Sequence, residues 1–255
     1  IVSVVDKYGV YDSTNLSPKF LNMYVGYSNA IIGATLLIIF GITDIFSYFT
    51  FLSLSVGMIQ VLSLIILFWS LKNNDVTRVM PIWSAYPFWV LLMAITLTSE
   101  VITTVNLISI FLLISGSMIA NVKLDKKNSI KFSVRSFIIL IMGTFLFALS
   151  QIINKEVVQN VPVIEAFGFR GIGVFLTLAL PFSKRENLTF LIKYVFDWKK
   201  SKYIFTAETF LATFAYITIL YSLISGPVSL VAAISGTRPV FIVAIYTILS
   251  LLKVN

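Results

Sequence analysis

The chain contains no cysteine and no histidine. Without them there are no disulfides, no thiol nucleophiles, few routes to a zinc centre and no imidazole acid–base chemistry. Charge is scarce as well: 12% of the residues are Asp, Glu, Lys or Arg, against roughly 25% in a soluble domain. No GxxxxGK[ST] or GxGxxG pattern occurs in a strand–helix setting, so no phosphate-binding loop is expected. Alternating segments of about ten residues, the mark of a membrane β-barrel, are missing too.

What remains is apolar. Hydrophobic residues make up 58% of the 255, and the mean hydropathy is +0.95. Apolar stretches of about 20 residues, separated by short polar breaks, predict transmembrane helices. The expected fold class is an all-α polytopic membrane protein. The net charge of +8 sits in the connections between spans, where it sets topology. No nucleic-acid partner is expected from it.

The pattern predicts spans at about 19–41, 51–71, 76–98, 101–121, 136–153, 162–182, 203–224 and 227–251. Residues 1–5 read as the tail of an earlier helix. Residues 183–202 are rich in lysine but carry Leu188, Leu191, Ile192, Val195 and Trp198 at helical spacing. They predict either an amphipathic helix on the membrane surface or a solvated loop.

An internal repeat organises these spans. Ser222, Val228, Ser229 and Pro239 stand at one constant spacing from Ser70, Val76, Thr77 and Pro87. Ser3 to Lys7 matches Gln151 to Lys155, and Ser17-Pro18 matches Val161-Pro162. The repeat unit is five spans long, and an odd number inserts the two halves in opposite directions. The expected plan is therefore ten helices in two inverted repeats, with about eight complete spans and a stub in this sequence. Residues 1–121 form the first repeat, 122–135 a basic linker and 136–255 the second. By the same plan most of the first helix precedes Ile1 and a last helix follows Asn255.

With these motifs the chain resembles the drug/metabolite transporter superfamily, specifically the EamA-type carriers. The resembling residues are Arg78 and Pro87, then Ser99-Glu100 with Asn106 and Gly116. In the second half they are Pro162, Arg170 and Pro239. Two positions depart from the pattern: Gly26 stands where Arg170 has its match, and Glu100 has no acidic counterpart near Leu252. The resemblance implies ten helices, a central cavity and transport of small metabolites.

Two arguments about orientation disagree. One membrane face collects Lys72, the 123–135 loop and the lysines of 184–202, whereas the other has Asp44, Glu100, Lys155 and Glu156. Positive-inside bias makes the basic face cytoplasmic, but the usual topology of the resembling family puts that face outside.

Candidate site residues are the polar and aromatic side chains at mid-span. Arg238 lies inside an apolar run, where an arginine costs about 2.5–3.5 kcal/mol to insert. It either contacts an anionic or zwitterionic substrate, bidentately, or pairs structurally with Glu208, Glu165 or carbonyls near Pro239. Arg170 is either a second charge facing the cavity or an arginine that snorkels or joins an interhelical ion pair. Its spacing from Glu165 is not that of a helical pair, because i+5 turns away. Gln60 and Asn29 either join helices or contact substrate. Tyr86 matches Arg238 in the repeat, Trp83 lies one turn before it, and Tyr216 and Tyr221 extend an aromatic wall. Thr237 adjoins Arg238. Pro87 and Pro239 break backbone hydrogen bonds at mid-membrane, as hinges or as static kinks.

The expected function is secondary transport of a small amino-acid-like, zwitterionic or anionic solute by alternating access. A coupling ion or proton is a possible partner beside the lipid bilayer, with the cell (plasma or inner) membrane as the location. Glu165 and Glu208 are either the carboxylates a coupled proton would use, if buried, or ordinary surface residues close to span ends. No enzyme activity, cofactor or metal is expected. The alternative is a non-transporting membrane scaffold or accessory subunit.

Overall fold

The computed structural model describes residues 18–74, 76–98, 100, 103–104, 107–108, 110–112, 115–116 and 134–237. The expected stub, the basic linker up to residue 133, and Arg238 with Pro239 lie outside the described residues. Among the described residues every regular element is helical and no strand occurs.

Helix α1 covers Pro18–Phe40. Proline suits its first position because that N–H has no helical partner. Gly41 ends it with φ +82°, the left-handed conformation that glycine adopts without steric cost. Helix α2 is Tyr48–Asn73, and the Ser47 hydroxyl before it accepts from Thr50 N–H at 3.1 Å, a side-chain N-cap. Helix α3 is Val76–Trp83 and α4 is Tyr86–Leu97. Helix α5 is Val134–Asn160. Helix α6, Val163–Leu178, follows Pro162, and a 3-10 turn at Leu180–Phe182 extends it. Helices α7, Arg185–Phe196, and α8, Trp198–Ile204, come next. A π-helical segment, Phe205–Leu211, runs into α9, Ala212–Ser225. Helix α10 is Val228–Gly236, again directly after a proline, Pro227.

Among the described residues, five helical stretches are long and apolar enough to cross a membrane: Phe20–Phe40, Tyr48–Ser70, Val134–Asn160, Val163–Phe182 and Phe205–Ser225. At 1.5 Å per residue, each of about 20 residues or more reaches the roughly 30 Å of a hydrocarbon core. The chain is an all-α membrane protein.

The structure corrects two details and decides between the two readings of a third. The expected span 76–98 is broken, with a turn at Ser84-Ala85 between α3 and α4. The break falls before Pro87, because proline is accommodated in the first turn of a new helix rather than inside an old one. Trp83 and Tyr86 therefore stand on two helices, not one face of one helix. Second, α5 runs past Ile153 to Asn160 and takes Lys155 and Glu156 out of the expected loop. Lys155 is buried and its ammonium donates to the Leu223 carbonyl in the last turn of α9, where the helix dipole favours a cation. Third, residues 185–196 are a helix whose apolar positions divide. Leu191 and Tyr194 bury against Met23, Tyr24 and Ile204, whereas Ile192, Val195 and Trp198 are exposed.

The helices sort into two compact units: residues 1–61 with 153–224, and residues 62–152 with 225–255. In the first, α1 and α6 run antiparallel with backbones touching. A Cβ on Gly171 would lie 2.5 Å from the Asn29 carbonyl oxygen, and one on Gly33 would lie 2.8 Å from that of Gly168. Helix α2 closes on α6 in the same way, since a Cβ on Gly57 would strike the Arg170 carbonyl and one on Gly173 the Leu54 carbonyl. Small residues permit such approach in membrane helices.

In the second unit, α4 and α10 are also antiparallel. Tyr86 Oη donates to the Ala232 carbonyl at 3.0 Å, and Pro87 packs on Gly236. The Glu100 carboxylate caps α10, accepting from Val228 N–H at 2.6 Å and Ser229 Oγ at 3.1 Å. A carboxylate there meets both unpaired N–H groups and the positive end of the helix dipole.

Candidate functional site

Four of the expected site residues meet in the first unit. Arg170 lies near the middle of α6 and is half-buried. Its Nε donates to Gln60 Oε1 at 2.9 Å and its Nη1 to Asn29 Oδ1 at 3.1 Å. Its Cζ stands 3.6 Å from the centroid of the Tyr216 ring, a cation–π contact that strengthens as water is excluded. The four side chains come from α6, α2, α1 and α9, so one charged group joins four helices.

Each partner is itself oriented. Asn29 Nδ2 donates to the Val25 carbonyl one turn back at 2.9 Å, which turns Oδ1 toward the arginine. Gln60 is buried at 7% exposure, so its oxygen has little water to turn to. Asn154 Nδ2 donates to Tyr216 Oη at 2.8 Å, and Phe167 flanks the Tyr216 ring. Asn154 was not among the expected site residues. Its signal was a lone amide following the apolar run that ends at Ile153.

The described partners of the guanidinium are all neutral. Gln60 and Asn29 take two of its five N–H donors. The Tyr216 side chain is a hydrogen-bond partner of the guanidinium as well, and among the described residues no carboxylate pairs with its Nη2 edge. A cation held by amides and a ring keeps its full charge, and in a low-dielectric setting that charge attracts an anion strongly. Arginine presents such an edge to a carboxylate bidentately.

Glu165, the other charge on α6, does not pair with Arg170. Its Oε2 accepts from Thr43 N–H at 3.2 Å and Thr43 Oγ1 at 2.8 Å, which ties the α1–α2 loop to the first turn of α6. The side chain is buried at 3% exposure, and its Oε1 has no hydrogen-bond partner among the described residues.

Tyr86 and Trp83 come together in the second unit on Phe147, with ring centroids 4.8 Å and 5.5 Å away. The Tyr86 hydroxyl is committed to Ala232. Pro87 is buried in the first turn of α4. Thr237 ends α10 with its hydroxyl donating to the Ile234 carbonyl at 2.6 Å. Arg238 and Pro239 are outside the described residues, and Tyr221 is more than half exposed. Among the described residues no three acidic side chains gather as a metal site would require.

No family model matches the chain, and no curated protein matches it.

Proposed function

We propose that the chain is a secondary-active carrier of a small metabolite with a carboxylate group, amino-acid-like or anionic, and that Arg170 receives the carboxylate. One observation carries this reading: a guanidinium at the middle of a membrane-length helix, held by Gln60, Asn29 and Tyr216, with no carboxylate paired to it among the described residues. A purely structural arginine in hydrocarbon is better served by a carboxylate partner or by several carbonyls. Here three neutral groups position the charge and none neutralises it.

The packing is in keeping with two inverted repeats, the plan of the EamA-type carriers that the sequence resembles. Helices α1 and α6 open with the matched prolines Pro18 and Pro162, and they pack antiparallel against each other. Helices α4 and α10 belong to the matched stretches around Pro87 and Pro239, and they do the same. Elements related by a two-fold axis in the membrane plane meet in this way. Arg170, from the second repeat, then sits on Asn29 and Gln60 from the first, where alternating access places a substrate site. The cell membrane is the proposed location.

The test is uptake and efflux by the full-length protein in reconstituted vesicles across a metabolite panel, comparing wild type with Arg170→Ala. Transport of a carboxylate-bearing solute, lost in the variant, is expected. Transport that survives the substitution refutes the site.

A non-transporting scaffold is the second reading, favoured by the four helices that the Arg170 cluster joins. It predicts no flux of any solute and a large loss of stability in Arg170→Ala.

A further inference from the structure

Residues 183–204 connect two membrane-length stretches, the first ending at Phe182 and the next beginning at Phe205, so α7 and α8 lie at one membrane surface. One side of α7 is anchored: Leu191 and Tyr194 are buried against Met23, Tyr24 and Ile204, and the Phe190 ring packs at a tilt against Phe20 of α1. The other side is open, with Arg185, Thr189 and Lys193 at i, i+4 and i+8 in a single stripe. They border an open cleft of about 530 Å³ together with Phe190 and Glu186. Beside the stripe, Ile192, Phe196 and Trp198 are 55%, 85% and 63% exposed.

Large apolar side chains left bare next to lysine and arginine are costly in water and favourable at the headgroup–acyl boundary. We infer that the α7 cleft binds the headgroup of an anionic phospholipid, its phosphate between Arg185 and Lys193 and its acyl chains along Ile192, Phe196 and Trp198. Arginine and lysine supply charge-assisted hydrogen bonds to phosphate oxygens. Glu186 opposes the anion from the cleft edge and limits affinity. Exposed Lys184 and Lys202 add attraction to a negative leaflet.

The test uses the full chain purified in detergent, with native mass spectrometry counting retained phosphatidylglycerol against phosphatidylcholine. Wild type is expected to retain phosphatidylglycerol preferentially. Neutralising Arg185→Gln or Lys193→Gln should weaken retention about fivefold each, and Glu186→Gln should strengthen it. Both cations are exposed, so the double variant should unfold at the wild-type temperature. In vesicles with brominated phosphatidylglycerol, quenching of tryptophan emission should fall in Trp198→Phe. Equal retention of the two lipids, or unchanged phosphatidylglycerol retention in the double variant, overturns the site. None of these readouts depends on transport, so the carrier reading can fail without affecting this result.

Discussion

Tyr216 presents the face of its ring to the Arg170 guanidinium while Asn154 holds its hydroxyl. The ring and the hydroxyl do separate jobs, and substitution can divide them. Tyr216→Phe keeps the ring and loses the hydroxyl's contacts with Asn154 and the guanidinium, so a cost of about 0.5–1.5 kcal/mol is expected. Tyr216→Leu also loses the cation–π contact, worth about 2 kcal/mol when desolvated. Unfolding midpoints in detergent should rank wild type, Phe, then Leu. If Leu and Phe were equal, the ring would have no role in holding the arginine.

Arg170→Lys keeps the charge but cannot reach Gln60 and Asn29 at once, because an ammonium is a single point and a guanidinium a fork. Transport of a carboxylate solute should fall at least as far as it does in Gln60→Leu. Arg170→Met removes the charge and its insertion cost of about 2.5–3.5 kcal/mol but strands the amide of buried Gln60. Its stability should stay near wild type while flux disappears. Retained flux in Arg170→Met would remove the arginine from the site.

The glycine contacts give a steric prediction. Gly171→Ala and Gly57→Ala place a methyl group against a backbone carbonyl, which cannot swing aside as a side chain can. Each should cost about 1–3 kcal/mol, the usual range for overpacking. A Cβ on Gly116 meets nothing within 4 Å, so Gly116→Ala is the matched control and should change the unfolding midpoint little.

The two acidic clamps should respond differently to an amide. Glu100→Gln keeps an acceptor at the start of α10 but loses the attraction of charge to the dipole, a change of about 0.3–1 kcal/mol. Glu165→Ala removes the only described acceptor of the Thr43 hydroxyl and should cost about 1–3 kcal/mol. Glu165→Gln, which can still accept from Thr43, should recover most of that loss. The same assay in detergent checks both pairs.

Hydropathy alone located the long helices to within a few residues at most ends, because an apolar run of membrane length has few alternatives. It did not reveal the break at Ser84-Ala85, since a turn buried among helices can be as apolar as a helix interior. It ended α5 too early at Ile153, because a buried Lys155 looks like a loop residue until Leu223 is placed beside it. Arg170, Gln60, Asn29 and Tyr216 each stood out as polar or aromatic groups in apolar surroundings. That they share one cluster was not legible, because it depends on which faces of four helices meet. In α7 the hydrophobic period was visible, but period cannot tell which apolar residues meet protein and which meet lipid.

The glycines around Arg170 also bear on motion. Helix α6 touches α1 and α2 backbone to backbone, and the carbonyl of Arg170 itself fills the space above Gly57. Such contacts leave no side-chain layer to repack, so sliding one helix past another would drive carbonyl oxygens into Cα atoms. Helix α6, α1 and the first half of α2 can therefore move only as one body, carrying the guanidinium and its amide partners with fixed spacing. If the chain is the carrier proposed above, any opening that admits a solute takes place at the edges of this trio, and the charge within it travels without being re-aimed.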